Sequence, residues 1–218
     1  MSNTFLDSHS SVFRDNIKSL KDLSTPKEHE QIHCGKQPVL DGFPYSETVY
    51  GIDFDTVRCK WYPWKSGINV PCSVDALVFA GENLFLIEFK SGAVEAASLY
   101  RKIYDSLIML LEKDGQDIKT MRKSVIFIVV ATQLQNYEIN SIARSIFYKN
   151  PKEPWLESEY KNVFDKWKLK NLEGVVVSKT YCMSPNMFNK FITTYDWSSN
   201  KTLILDESAF GDKQKHKA

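Results

Sequence analysis

The chain has 218 residues, a formal net charge of +1, and 43% hydrophobic and 25% charged residues. This ordinary globular composition can supply a sizeable core, and it excludes a uniformly basic surface, so any polyanion site must be a local patch. No apolar run reaches the roughly 18 residues needed to span a bilayer, and MSNTFLDSHSS lacks a basic region followed by an apolar core. We therefore predict a soluble, cytoplasmic protein that does not bind membranes.

The first predicted elements are two short helices. Apolar residues recur at helical spacing over residues 11–23 and predict an amphipathic helix that ends before Pro26. A second helical segment over residues 27–33 carries Glu28 and Glu30. These two acids are either part of a solvated helix face or an upstream acid for a site formed elsewhere in the chain.

Residues 35–67 are interrupted by Gly and Pro, and we predict only two short strands there, at 48–54 and 57–62. Glu47 precedes the first of these strands and is a competing candidate for the upstream acid. Cations alternate with flat aromatic rings further along, a combination that suits phosphate contact and base stacking. We predict nucleic-acid contacts from Lys60, Trp61 and Lys65, with packing of the tryptophan ring in or beside the core as the alternative.

Residues 73–92, SVDALVFAGENLFLIEFKSG, predict a β-hairpin, because β-branched and aromatic residues dominate both arms and Gly81 lies between them. A two-residue turn that begins at Gly81 needs a positive φ there, as in a type II′ turn. A four-residue loop would give the same pairing. In that register the opposed pairs are Phe79 with Leu84, Leu77 with Leu86, and Asp75 with Glu88.

Two carboxylates placed opposite each other would have Cβ atoms about 5 Å apart and would destabilise the sheet. Lys90 lies two residues beyond Glu88, so strand alternation puts its ammonium on the same face as the two acids. A divalent cation is the other natural neutraliser, and Mg²⁺ is typically held by one or two carboxylates with water and substrate phosphate. Asp75, Glu88 and Lys90 therefore predict a metal and phosphate site, with a structural ion pair between Lys90 and one carboxylate as the alternative.

Asp75, followed after twelve residues by Glu88-Phe89-Lys90 on the next strand, resembles the motif of the PD-(D/E)xK nuclease superfamily. The resemblance runs from residue 70 to the end of the following helix, and Val74 stands where the motif has proline. It implies that Asp75 and Glu88 bind Mg²⁺, or Mn²⁺ as the alternative ion, with the Phe89 carbonyl as a further ligand. It also implies that Lys90 assists the attacking water or stabilises the transition state.

A helix over residues 93–113 is predicted next, since its apolar residues follow the i, i+3/i+4 pattern. The family often takes a phosphate-binding residue from this helix, and the resemblance points to Lys102 or Arg101. Residues 124–131, SVIFIVVA, predict a strand buried on both faces and parallel to its neighbour. The resulting order of strand, strand, helix and strand is the one expected of the superfamily core.

The last third of the chain predicts accessory elements. Ser184 and Pro185 are typical of a helix N-cap and first turn. The predicted elements are a helix at 137–148, a mixed-charge stretch at 150–172, a strand at 174–181, a helix from 185 to 195 and a strand at 202–205.

Together these elements predict an α/β fold with a mixed central β-sheet flanked by helices, a restriction-endonuclease-like core with C-terminal α/β additions. No Pro/Gly/Ser-rich linker divides the chain, so we expect one domain over residues 1–218. Its parts are an N-terminal helical segment (1–44), the nuclease-like core (45–132), accessory strands and helices (133–210) and a basic tail (211–218).

The implied function is Mg²⁺-dependent hydrolysis of phosphodiesters in nucleic acid, foremost by a DNA endonuclease that acts as a homodimer or with a partner protein. A role in host defence or on a mobile element is expected by analogy with the family. Two alternatives stay open. The chain is a nuclease-like binding or scaffolding subunit without activity, or it is a nuclease that becomes active only with a partner chain. The cysteines form no CxxC pair, which disfavours a disulfide framework or a zinc knuckle.

Overall fold

The computed structural model describes residues 10–26, 31–32, 37–64, 69–114, 117–135 and 167–195. Within these ranges six strands form one mixed sheet with helices against it, which confirms the predicted α/β class. In spatial order the strands are β1 (Ile17–Ser19), β2 (Tyr50–Asp53), β3 (Ala76–Ala80), β4 (Asn83–Lys90), β5 (Val125–Ala131) and β6 (Lys179–Met183). The helices are α1 (Ser10–Arg14), α2 (Leu20–Leu23), α3 (Phe54–Trp61), α4 (Ala96–Asp114), α5 (Ile118–Ser124) and α6 (Pro185–Thr194). Short 3₁₀ helices cover Pro44–Glu47, Thr132–Leu134 and Leu169–Leu172.

The sheet changes from antiparallel to parallel at its centre. β1 to β4 pair antiparallel, whereas β4 with β5 and β5 with β6 pair parallel. Helix α4 lies in the connection between β4 and β5, as a parallel pair requires. Every residue of β5 is buried, so the uninterrupted apolar run over 124–131 does mark a central parallel strand.

The hairpin of β3 and β4 has the predicted register. Phe79 pairs with Leu84 and Leu77 with Leu86. Gly81 has a φ of 60°, so the predicted positive φ at the turn is also confirmed. The third predicted pair, Asp75 with Glu88, is not formed, because Ile87 already pairs with Ala76 and its carbonyl also accepts a hydrogen bond from the Asp75 N–H at 3.1 Å, so the chain leaves the register just before β3.

The predicted helix over residues 11–23 is wrong in the middle, because Ile17–Ser19 forms an edge strand between α1 and α2. Ile17 lies opposite Ile52 in β2, and Ser19 then caps α2 by accepting a hydrogen bond from the Asp22 N–H. Pairing with a distant strand therefore outweighs the local helical pattern, which still places Phe13 and Leu20 in the core.

The predicted strand over residues 57–62 is also wrong. This segment belongs to helix α3, whose N-cap Asp53 accepts a hydrogen bond from the Thr56 N–H at 3.0 Å. Phe54 and Val57 of α3 are buried in the core. The preceding strand is β2, and it ends at the capping aspartate.

In the last described segment, β6 begins five residues later than the start of the strand predicted at 174–181, because Gly174 adopts a φ of 72° in a turn. The predicted cap of the final helix is confirmed, since the Ser184 hydroxyl accepts from the Met187 N–H at 3.2 Å. The elements predicted at 137–148, 150–166, 202–205 and 211–218, and Glu28 and Glu30, lie outside the described residues. Among the described helices, none combines the length and apolar character that crossing a membrane requires.

Candidate functional site

Asp75 and Glu88 meet at one end of the hairpin and contact the same cation. The Lys102 Nζ lies 3.3 Å from Asp75 Oδ1, 2.7 Å from Glu88 Oε1 and 2.9 Å from Glu88 Oε2. The two acids therefore project to the same side of the sheet, within reach of a single positive charge. They meet because Asp75 directly precedes β3, Glu88 lies in the second half of the neighbouring strand β4, and the Phe89 N–H holds the Asp75 carboxylate against that strand.

Backbone and side-chain contacts fix both carboxylates. Asp75 Oδ2 accepts a hydrogen bond from the Phe89 N–H at 2.7 Å, which ties this carboxylate to the neighbouring strand. Glu88 is fully buried, and its Oε1 also lies 2.7 Å from the Lys90 Nζ. Lys90 thus lies on the acidic face as strand alternation predicted, and the ion pair of the alternative interpretation is present as well.

Helix α4 presents Lys102 to the acids because two adjacent side chains attach the helix to the segment that leads into β3. The Ser106 hydroxyl accepts from the Val74 N–H at 3.0 Å, and Asp105 Oδ2 accepts from the Cys72 N–H at 2.8 Å. Leu99 and Ile103, which belong to the same helix, are fully buried. The position of the Lys102 backbone relative to Asp75 is therefore set by the packed core and by these two hydrogen bonds.

The electrostatics of the acid pair favour a positive charge between the carboxylates. Burial, and next the facing charge of Glu88, raise the pKa of Asp75 from the usual 3.8 to about 7, although Lys102 and the Phe89 N–H oppose the rise. Burial alone would lower the pKa of Lys102, but Asp75 and Glu88 outweigh it and hold this pKa above the usual value. Lys102 therefore stays protonated, and the Asp75 carboxyl group loses its proton only near neutral pH.

Asp75, Lys90 and Lys102 open onto a cleft of about 750 Å³, whereas the Glu88 side chain is fully buried and does not line it. Its walls include the segment after α2, the start of α3, the residue before β3, the end of β4, the loop that follows β4 and one residue of α4. The charged residues that line the cleft are Lys18, Asp22, Asp53, Asp55, Arg58, Asp75, Lys90 and Lys102. Cations and acids alternate around the cleft, so it is polar without being uniformly basic.

Asp55 is a third acid at this cleft that sequence reasoning missed. It lies in the first turn of α3, accepts a hydrogen bond from the Ser73 hydroxyl, and is 3.7 Å from the Arg58 Nε. Its charge further raises the pKa of Asp75. The available signal was Asp53 followed three residues later by Thr56, a helix N-cap pattern that would have placed Asp55 on a helix beside the hairpin.

The structure does not bring the other predicted residues into the acid cluster. Glu47 pairs with Lys21 at 2.6 Å, and Arg101 with Asp105 at 3.5 Å, and neither Glu47 nor Arg101 lines the cleft. Lys65 lies outside the described residues. Phe89 lines the cleft beside Lys90.

Trp61, which the sequence predicted to contact nucleic acid, packs against other aromatic rings of the fold. The Trp61 ring packs against Phe13 and Phe54, with centroid distances of 5.6 and 5.8 Å. Lys60 donates to the Asn16 side-chain oxygen at 3.1 Å. Trp61 thus has a packing role at the edge of the core, as the alternative interpretation held.

In the part of the chain that the structure describes, no three or more His, Cys, Asp or Glu residues are grouped so that they could hold a metal ion. A site for Mg²⁺ needs only one or two carboxylates when water and substrate oxygens complete the coordination. Comparisons with models of known protein families, with curated proteins and with solved structures find no match to this chain.

Proposed function

We propose that the cleft hydrolyses phosphodiester bonds of nucleic acid in the presence of Mg²⁺ or Mn²⁺, with DNA as the first substrate to test. The observation that carries the proposal is the shared contact of Asp75 and Glu88 with one ammonium group. Acids on adjacent strands that can share a cation, with Lys90 beside them, are what the PD-(D/E)xK resemblance requires. We also propose a cytoplasmic setting, and action as a homodimer, which would cut both strands of a duplex, or with a partner protein.

The donor atoms at the acid pair suit a hard divalent cation. Carboxylate oxygens are the ligands that Mg²⁺ prefers, and facing acids in a buried position are stabilised by a positive charge between them. Asp75 and Glu88 would hold the ion, with the Phe89 carbonyl as a third candidate ligand. When bound, Mg²⁺ polarises a phosphoryl oxygen and lowers the pKa of a coordinated water.

The side chains around the acids have complementary roles in this proposal. The Lys90 Nζ, which contacts Glu88, would orient the attacking water or neutralise the charge that develops on the phosphoryl oxygens. The Lys102 Nζ would contact a phosphate, and Lys18 and Arg58 on the cleft wall would hold the neighbouring backbone. Hydrolysis by these groups requires neither a histidine nor a covalent intermediate.

A second candidate function is supported by the same ion pairs. Lys102 and Lys90 already pair with Asp75 and Glu88, so these two cations balance the charge of the two ionised acids without a metal. A binding or scaffolding protein could keep such a cluster for the stability or uniqueness of its fold. On this alternative the cleft binds a ligand and performs no chemistry.

Cutting assays with matched variants separate the two functions. Purified protein is incubated with DNA and RNA substrates and Mg²⁺ or Mn²⁺, beside the variants Asp75→Asn, Glu88→Gln and Asp117→Asn. Asp117 is an exposed N-cap of α5, where asparagine also caps well, so Asp117→Asn controls for the loss of one acid. We expect Asp75→Asn and Glu88→Gln to lower the cutting rate by at least about a hundredfold, and Asp117→Asn to retain it.

Two results would count against hydrolysis at this site. Cutting that persists undiminished in both Asp75→Asn and Glu88→Gln would assign the activity to other residues or to a contaminant. A folded wild-type protein that cuts no substrate with either ion would favour the scaffold. Circular dichroism of each variant establishes that the compared proteins are folded.

A further inference from the structure

Lys102 occupies the place that a shared metal ion would need. Its Nζ contacts one oxygen of Asp75 and both oxygens of Glu88, all within 3.3 Å. An ammonium and a divalent ion cannot both occupy the space between these carboxylates, since the two cations would repel each other at close range. Metal binding by both acids therefore requires the Lys102 ammonium to leave.

The surroundings of Lys102 allow its side chain to move while the fold stays unchanged. The helix backbone is attached to the segment before β3 through Ser106 and Asp105, so the departure involves only the flexible side chain. Lys102 lines the cleft, and 19% of its side chain is exposed, so part of the side chain already contacts solvent. Glu88 keeps its second cation, because Lys90 contacts it independently.

We propose that Lys102 is an exchangeable internal cation. In the metal-free protein it neutralises Asp75 and Glu88, and a divalent ion displaces its ammonium into the cleft, where it becomes a phosphate ligand. The divalent ion at Asp75 and Glu88 and the identification of that phosphate as part of nucleic acid rest on the proposed function, whereas the exchange itself needs no hydrolysis. Because the released ammonium gains a phosphate partner, metal and polyanion should each tighten the binding of the other, as thermodynamic linkage requires.

Metal titration of two matched variants gives the first test. Lys102→Met removes the competing cation, and Lys113→Met removes the same charge from the same helix at a position that pairs with Glu112 and lies outside the cleft. Mg²⁺ binding is measured by isothermal titration calorimetry at fixed pH and ionic strength, without nucleic acid. We expect Lys102→Met to bind Mg²⁺ about tenfold more tightly than the wild type, and Lys113→Met to match the wild type.

Chemical labelling of the wild-type protein gives a second test that needs no variant. A Lys102 amine held by two carboxylates should react slowly with an acetylating reagent, and Mg²⁺ should accelerate its reaction about threefold or more when the amine enters the cleft. Mass spectrometry of the digested protein measures the extent of acetylation at Lys102 and at Lys113 in the same sample. We expect the acetylation rate of Lys113 to be insensitive to Mg²⁺.

The outcomes separate this inference from the proposed function. Two results would overturn the exchange. In the first, Lys102→Met binds Mg²⁺ no more tightly than the wild type. In the second, Mg²⁺ leaves the labelling rate of Lys102 unchanged. Failure of Lys102→Met to fold leaves the labelling result to decide. Neither measurement depends on cutting, so a protein that exchanges Lys102 for Mg²⁺ but cuts nothing would retain the exchange and refute only the hydrolysis.

Discussion

Replacing Asp75 with asparagine should stabilise the metal-free protein at neutral pH, although it removes a residue of the proposed site. Burial and the facing charge of Glu88 raise the pKa of Asp75 to about 7, above the value of an unfolded chain. Between about pH 4 and pH 7 the native protein therefore holds a proton that the unfolded chain has lost. Native stability falls as pH rises through this interval, because folding then requires an unfavourable ionised carboxylate.

The size of the effect follows from the pKa difference. A rise from 3.8 to about 7 corresponds to about 4 kcal/mol, at about 1.4 kcal/mol for each pH unit. Because 21% of the Asp75 side chain is exposed, solvent screens part of this interaction, and we expect about 2 kcal/mol. Asparagine has no such penalty, and its side-chain oxygen can still accept the Phe89 N–H.

Asp53 provides a control of opposite sign in the same cleft. Burial alone would raise its pKa, but its contacts with Lys18 and Thr56 outweigh burial and lower the pKa below the usual 3.8. The stability that Asp53 contributes is therefore present above about pH 4 and is lost only as pH falls below that value. Asp53→Asn should destabilise the protein by an amount that stays constant between about pH 5 and pH 8.

The assay is urea unfolding followed by tryptophan fluorescence, in the presence of a chelator, at several pH values from about 5 to 8. The free energy of unfolding of Asp75→Asn minus that of the wild type should increase by about 1 kcal/mol across this range, because the rest of the effect develops below about pH 5. A difference that stays flat would refute our account, because Asp75 would then be an ordinary ionised carboxylate throughout. At the upper pH, Mg²⁺ should stabilise the wild type and leave Asp75→Asn unchanged.

Two further predictions concern the scaffold that holds the site. Gly51→Ala should destabilise the protein by about 1–3 kcal/mol in the same urea assay, because an added Cβ would lie 3.0 Å from Val78 Cγ2 and 3.1 Å from the Leu77 carbonyl oxygen. An unchanged midpoint would show that β2 can move away from β3. Ser184→Ala should cost about 1 kcal/mol, since the Met187 N–H loses its capping partner, and it should lower the thermal midpoint. Ser184→Thr, which keeps a hydroxyl, should recover most of that loss, and equal midpoints for the alanine and threonine variants would contradict the capping role.

The sequence predicts the hairpin well because its information is local. Alternation fixes which face each residue takes, and Gly81 fixes the turn, so the register from Ala76 to Ile87 needs no distant contact. The strand at 124–131 is predictable for a similar reason, since only a central strand tolerates an unbroken apolar run.

The parts that sequence reasoning missed depend on distant contacts. Ile17–Ser19 is a strand only because it pairs with β2, and this pairing cannot be read from a helical pattern of apolar residues. The position of Lys102 between the two acids depends on the hydrogen bonds from Val74 to Ser106 and from Cys72 to Asp105. These bonds fix the position of α4 relative to the hairpin. Asp55 was missed because its segment was interpreted as strand, although the capping pattern at Asp53 was visible.

The hairpin also makes the site sensitive to whether an odd or an even number of residues is inserted into its strands. Side chains alternate between the faces of a strand, so one inserted residue between Leu84 and Ile87 would turn Glu88 to the far side of the sheet, away from Asp75. A pair of inserted residues would restore the facing and displace the carboxylate along the strand. Sequence drift at the turn can therefore preserve the contact of both acids with Lys102, whereas single-residue gaps within the arms should abolish it.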